Sequence, residues 1–201
     1  MERPFTHTTF EDLKRAAPEE VVGRALVAWD AGPQCYSWPS LGRPFSIAAG
    51  GEILEYGGFL PSGKARRFLP TIARLYLLGC RDLPRAGEWV LPYQLSGARS
   101  FFSGGSHTLP VDRLAQRCDA VPGFLLSAGK TLGGRVAALP DEAVELRPFP
   151  RLPVALAYHP GEPGDLGRAQ LLFDSTAAEH LPIDSLWALA LLILETVESF
   201  V

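Results

Sequence analysis

Cysteine is scarce in this sequence: Cys35, Cys80 and Cys118 are odd in number and far apart along the chain. That spacing excludes a disulfide framework and the close pairs that zinc and iron–sulfur sites use, so the three read as separate buried thiols. Long apolar runs are missing too. The longest, Leu186 to Leu194, falls well short of the roughly 20 residues that cross a bilayer, which makes it a core helix and argues against a membrane partner. Positive charge is not in excess either, with a formal net charge of −3 and only Lys14, Lys64 and Lys130 as lysines among 19 basic residues. No clustered footprint for nucleic acid is visible. Met1 to Phe10 is polar and lacks the apolar centre of an export signal, so a cytoplasmic protein is expected.

What is present is 47% apolar and 20% charged residues over 201 positions, enough to build a hydrophobic core in one domain spanning residues 1–201. Thr9 is a suitable cap for a helix from Phe10 to Lys14. Pro18 opens a second helical run through Val22, Leu26 and Trp29, ended by Gly32-Pro33. Pro70 begins a helix carrying Ile72, Leu75, Tyr76 and Leu78, stopped by Gly79. Shorter helical patterns cover Val111 to Cys118 and Phe124 to Lys130, the latter closed by Gly133-Gly134, and a long one runs from Ile183 to Val197. Strand-like segments are Cys35–Trp38, Phe45–Ala48, Ile53–Tyr56, Glu88–Leu95, Ala143–Leu146, Val154–Tyr158 and Ala169–Phe173. Pro92 puts the fourth of these at an edge, and the last two suit an antiparallel pair. The stretch Gly57 to Gly63 reads as loop. Strands bunched between helices, without a β-α-β rhythm, predict an α+β fold: an antiparallel sheet packed against helices, with a C-terminal core helix.

Three stretches hold residues suited to chemistry. Ser127-Ala128-Gly129-Lys130-Thr131 has the Gly-Lys-Thr of a phosphate loop. The motif needs a glycine five residues upstream, where this chain has Phe124, so a helix end with a solvated lysine is the better reading. The second stretch, Ser96 to His107, combines Gly97, Gly104 and Gly105 with Arg99, Phe101, Phe102 and His107. Such a loop can hold an anionic or planar ligand, or can simply be a surface connector anchored by its phenylalanines. The third gathers titratable groups: His159, Glu162 and Asp165 in a turn, then Asp174, His180 and Asp184. Asp174, His180 and Asp184 are the types needed for acid–base work or metal ligation; Asp174 and Asp184 equally suit a strand-end cap and a helix first turn.

Phe149-Pro150-Arg151-Leu152-Pro153-Val154, Leu171-Leu172-Phe173-Asp174 and His180-Leu181-Pro182-Ile183-Asp184 occur in the order seen in the domain-of-unknown-function 3786 family, which the chain resembles. Leu75-Tyr76-Leu77-Leu78, the Gln94 to Phe102 loop and Leu132-Gly133-Gly134 extend the resemblance over nearly the whole chain. The closest matches are Gly97, Phe101, Gly133, Gly134, Asp174 and Pro182, with His180 and Asp184 looser. The resemblance implies no reaction. It implies a bacterial or archaeal context in which some relatives carry a four-cysteine iron–sulfur segment that this chain lacks, and so a link to metal or redox-cofactor metabolism. A further departure is His159 to Asp165, where relatives have an acidic run before Phe-Pro.

Three functions compete. The favoured one is a cofactor- or small-molecule-binding accessory protein in which the Ser96–His107 loop and the Asp174–Asp184 corner share one cleft, the ligand itself unknown. The second is a hydrolase or lyase using Asp174 and His180 as an acid–base pair or, with Asp184, as metal ligands. The third is an adaptor with a protein partner and no catalytic site.

Overall fold

Thr9 starts the first helix with a reciprocal cap: its hydroxyl accepts from the Asp12 amide, and the Asp12 carboxylate accepts from the Thr9 amide at 2.6 Å. In this computed structural model, which describes residues 8–59, 64–102, 107–162 and 164–200, that helix is α1 (Phe10–Arg15). After it come α2 (Pro18–Ala25), β1 (Ala28–Asp30), β2 (Cys35–Ser40), β3 (Arg43–Ala48) and β4 (Ile53–Tyr56). The middle of the chain holds α3 (Leu69–Gly79), β5 (Trp89–Val90), α4 (Arg99–Phe102), α5 (Val111–Ala120) and α6 (Phe124–Thr131). The last third holds β6 (Arg135–Val136), β7 (Glu142–Phe149), β8 (Leu152–His159), β9 (Arg168–Asp174), α7 (Ala177–His180) and α8 (Ile183–Glu198).

The α+β expectation holds, with two antiparallel sheets where one was expected: β1-β2-β3-β4 and β5-β9-β8-β7-β6. The second helix stops earlier than its apolar spacing predicts. Leu26 takes a left-handed conformation at φ 56°, so Trp29 leaves the helix and pairs with Tyr36 as part of β1. Glu88–Leu95 yields only the two residues of β5, because Pro92 opens a 3-10 turn; β5 does lie at a sheet edge. β8 and β9 pair antiparallel from Val154↔Phe173 to His159↔Arg168, as their patterns predict. The far part of the predicted Gly57–Gly63 loop lies outside the described residues.

One apolar core serves both sheets. Val144, Leu146, Val154, Leu156, Leu171 and Phe173 face it from the larger sheet, and Tyr36, Trp38, Phe45 and Ile47 from the smaller. α8 lies within it, burying Leu186, Leu189, Ala190, Ile193 and Val197. Among the described residues no helix is long and apolar enough to cross a membrane. All three cysteines are free and buried, as their spacing implies.

The sheets meet where β7 is bulged. Its register with β8 jumps from Leu146↔Val154 to Phe149↔Leu152, so two residues oppose Pro153, which has no N–H to offer. The carbonyls released there accept from the small sheet: Arg147 O from the Leu41 amide at 2.9 Å, and Pro148 O from Ser40 Oγ at 2.8 Å and Trp38 Nε1 at 3.0 Å. Trp38, Phe149 and Tyr76 stack beside this seam, with Phe149 to Tyr76 at 4.6 Å between ring centroids. Two glycine backbones touch there as well. A Cβ on Gly133 would lie 2.4 Å from the Gly42 Cα, and Gly133 has φ +64°.

Gly133→Ala is therefore expected to lower stability by roughly 3 kcal/mol in denaturant unfolding. Gly123 has a similar φ, +75°, with nothing within 4 Å of its Cβ position, so Gly123→Ala costs only about 1 kcal/mol. Equal losses in the two variants would show that backbone strain, and not the contact with Gly42, governs the seam.

Candidate functional site

Asp174 ends β9 on the side of the strand opposite the core-facing Phe173 and is 2% exposed. Its carboxylate accepts from the amides of Ala86 (3.0 Å), Gly87 (2.7 Å) and Thr176 (3.1 Å) and from Thr176 Oγ1 (2.6 Å). Burial would raise its pKa, but the hydrogen bonds from Thr176, Ala86 and Gly87 outweigh it and hold the carboxyl below its ordinary value. Asp174 is thus a clamp that fixes the segment before β5 to the end of β9.

His180 is fully buried at the end of α7. Its Nδ1 lies 3.4 Å from Cys80 Sγ, and its Nε2 has no hydrogen-bond partner. Burial, with the Arg151 charge adding to it, pushes the imidazole pKa down, so the ring stays neutral. Burial likewise pushes the Cys80 thiol up to about 11. This contact is a neutral thiol against a neutral ring, not an activated nucleophile.

Asp174 and His180, expected to act together as an acid–base pair, are not hydrogen-bonded to each other. Among the described residues no group of three or more His, Cys, Asp or Glu could hold a metal ion. Asp174, His180 and Asp184 form no such group, and the Asp174 carboxylate already receives four donors. His159 likewise pairs with Asp141 at the surface.

Other predicted residues do converge. Phe101 in α4, His107 and Asp184 in the first turn of α8 line one hollow of about 230 Å³ together with Phe68, Thr71, Ile72, Ser185, Trp187 and Ala188. The His107 ring stacks on Phe101 at 3.9 Å between centroids and 25° between planes, and meets Trp187 edge-on at 5.3 Å and 87°. Asp184 Oδ1 accepts from the Ser185 amide at 2.7 Å and from its hydroxyl at 3.2 Å. The Trp187 indole N–H is buried without an acceptor among the described residues. A second hollow of about 200 Å³ adjoins at His107, lined by Leu91, Tyr93, Phe102, Leu109, Gln170 and Leu171 among others. It lies along β9 where β5, two residues long, no longer covers the strand edge.

Arg99, the first residue of α4, is exposed and lines neither hollow, and Gly97 sits before it in a turn at φ +75°. Gly104 and Gly105 lie outside the described residues. The Gly-Lys-Thr segment is the end of α6, where a Cβ on Gly129 would press on Val144, 2.6 Å away; it is a packing site and not a phosphate loop. Sequence reasoning missed Trp187 because its helical spacing marks it only as a flank of the core stripe. Phe68 caps α3 and Thr71 lies in its first turn, with no polar pattern to single them out.

A family model described as a domain of unknown function (DUF3786) matches residues 17–196 of the chain. The chain belongs to the DUF3786 family. No curated protein and no solved structure matches it. In this DUF3786 chain the motif arginine, Arg151, sits in the β7–β8 turn and donates to Arg24 O at 2.6 Å, to Leu83 O at 3.2 Å and to Asp82. The Arg151 amide donates to the Tyr76 hydroxyl at 3.1 Å, which itself donates to Ala25 O at 2.8 Å.

Asp174→Ala leaves three backbone amides without their acceptor and is expected to cost roughly 3 kcal/mol of stability, read by thermal or denaturant unfolding. A loss within experimental error would remove the clamp assignment. His180 gives a pH signature. Its pKa is depressed in the folded state, so below about 6.5 the unfolded chain binds a proton that the folded chain refuses. Stability should fall as pH drops from about 6.5 toward 5, by at most about 1.4 kcal/mol per pH unit, and His180→Gln should flatten that slope.

Proposed function

We propose that this DUF3786 protein binds a small planar ligand in the paired hollows around His107, as a cofactor- or small-molecule-binding accessory protein. The observation that carries this reading is the convergence of Phe101, His107, Trp187 and Asp184 on one hollow, from elements far apart in the chain. Stacked and edge-on rings make slots suited to a flat π-system. The Trp187 N–H is a buried donor with no acceptor among the described residues, and the exposed Asp184 carboxylate offers an acceptor. Each hollow alone is smaller than the roughly 300 Å³ at which small-molecule sites begin; the two, joined at His107, exceed it.

The favoured ligand is a flat heteroaromatic or aromatic group with a ring acceptor for Trp187 and a donor or positive charge for Asp184. A tie to metal or redox-cofactor metabolism rests on the family resemblance and not on any side chain in the hollows. The hydrolase or lyase alternative rests on Asp174 and His180, which share no hydrogen bond with each other, and so draws less support from the geometry than the hollows do. For the adaptor alternative, Leu54 and Tyr56 are exposed two residues apart on β4, while the other large exposed apolar residues among those described, Leu26, Tyr93, Val121, Leu126, Val136 and Leu166, fall on separate segments.

A fragment set of flat heteroaromatic amines, screened by NMR against the indole N–H resonances, tests the reading. Binders should shift the Trp187 signal, assigned with Trp187→Phe, and His107→Ala should weaken them about tenfold, the loss of a stacking partner and of the wall between the hollows. Binders that ignore His107→Ala, or shift only Trp29, Trp38 or Trp89, would remove the hollow as the binding site.

A further inference from the structure

Glu145 is a charged residue in the middle of β7, and 5% of its side chain is exposed. It faces the opposite way from Val144 and Leu146, onto the sheet surface that the core helices do not cover. A buried carboxylate needs one good cationic partner; this one has three. Arg135 lies directly across from it on β6, Arg147 follows two residues later on the same face of β7, and Arg85 reaches over from the segment clamped by Asp174. The contacts are 3.0 and 3.1 Å from Arg85, 2.8 Å to both oxygens from Arg135, and 3.2 Å from Arg147 Nε. Ala155, opposite Glu145 on β8, is fully buried and offers it no polar partner.

The geometry separates an inner anion from an outer layer of cations. The three arginine side chains are 41%, 58% and 53% exposed. Each guanidinium engages Glu145 through a single nitrogen: Nη1 of Arg85, Nη2 of Arg135 and Nε of Arg147. The remaining nitrogens of each have no acceptor among the described residues. One arginine neutralises Glu145, so the other two leave a local charge of about +2 on a protein whose net charge is −3. Glu142, the nearest acid along β7, has its carboxylate turned to the Leu126 amide and does not offset this charge. Guanidiniums held side by side repel unless an anion bridges them, and their planar N–H edges match oxyanion geometry.

We propose that Arg85, Arg135 and Arg147, gathered by the buried Glu145 carboxylate, form a site for a small, multiply charged oxyanion, a phosphate-type or polycarboxylate group of a soluble molecule. The site shares no residue with the His107 hollows and stands independently of the ligand reading made for them.

The test is calorimetric titration of the full chain with inorganic pyrophosphate and, separately, with citrate, at low salt. A single saturable site is expected. Arg135→Ala and Arg147→Ala should each weaken it at least tenfold, while Arg43→Ala, an exposed arginine on the other sheet, leaves it unchanged. Rising salt should weaken it, as for any exposed charge cluster. Should an alanine variant fail to fold, Arg135→Gln or Arg147→Gln keeps most of the stem and takes its place. Pyrophosphate binding alone, citrate binding alone, or both, each with the arginine dependence, support the site and say which oxyanion it prefers. Absence of binding by either anion, or binding that survives Arg135→Ala and Arg147→Ala, overturns it.

Discussion

Two sheets share one core because β7 cannot finish its ladder. Pro148 and Pro153 remove amides from the end of the β7–β8 hairpin, and the resulting bulge turns two carbonyls outward. A buried carbonyl without a donor is costly, so the position of the small sheet is set by the need of Arg147 O and Pro148 O for partners. Leu41, Ser40 and Trp38 supply them. The glycine contact between Gly42 and Gly133 then allows backbones to approach where any side chain would hold them apart. Register, bulge and glycine contact act on the same few residues, and the aromatic stack of Trp38, Phe149 and Tyr76 fills the space they enclose.

That seam also explains the motifs by which the chain resembles its family. Phe149 packs in the stack, and Arg151 ties the hairpin turn to the end of α2 and to the segment after α3. Asp174 fastens the same segment further along, at β5, and His180 packs against Cys80 at its start. Arg151 and Asp174 are polar groups buried among apolar ones with their hydrogen-bonding capacity largely engaged by backbone, while His180 meets only the Cys80 side chain. A motif of such residues identifies a fold far more readily than an activity, because its chemistry is directed inward.

Much of this was legible in the sequence. Helix starts marked by Thr9, Pro18 and Pro70 and the pairing of β8 with β9 follow from caps and alternation. The division into two sheets was not, since it depends on a bulge and on long-range acceptors that no local pattern carries. Trp29 was misread because helical spacing continues through it, while the left-handed turn at Leu26 is a tertiary choice. β6 and α7 are too short to show a period. At the site, Phe101, His107 and Asp184 were legible as residue types worth watching. That they meet, while Asp174 and His180 stand elsewhere, is a matter of how α4 and α8 pack, and residue type alone does not encode it.

A physical criterion separates the residues of the two groups better than residue type does. Asp174 and Glu145 are both acids buried on the outward face of the larger sheet, and both are held in the charged form by donors that outweigh the effect of burial. The donors around Asp174 are backbone amides and a hydroxyl, which carry no net charge, so the arrangement closes on itself and holds two segments together. The donors around Glu145 are three full charges, and they overshoot the one they surround. The first arrangement is complete within the chain; the second leaves positive charge facing solvent. At the hollow that distinction does not carry over: His180 Nε2 inside the core and the Trp187 indole N–H beside the His107 ring are both buried without a partner among the described residues. What sets Glu145 apart from Asp174 is thus the charge its donors leave over, and not the presence of a titratable residue as such.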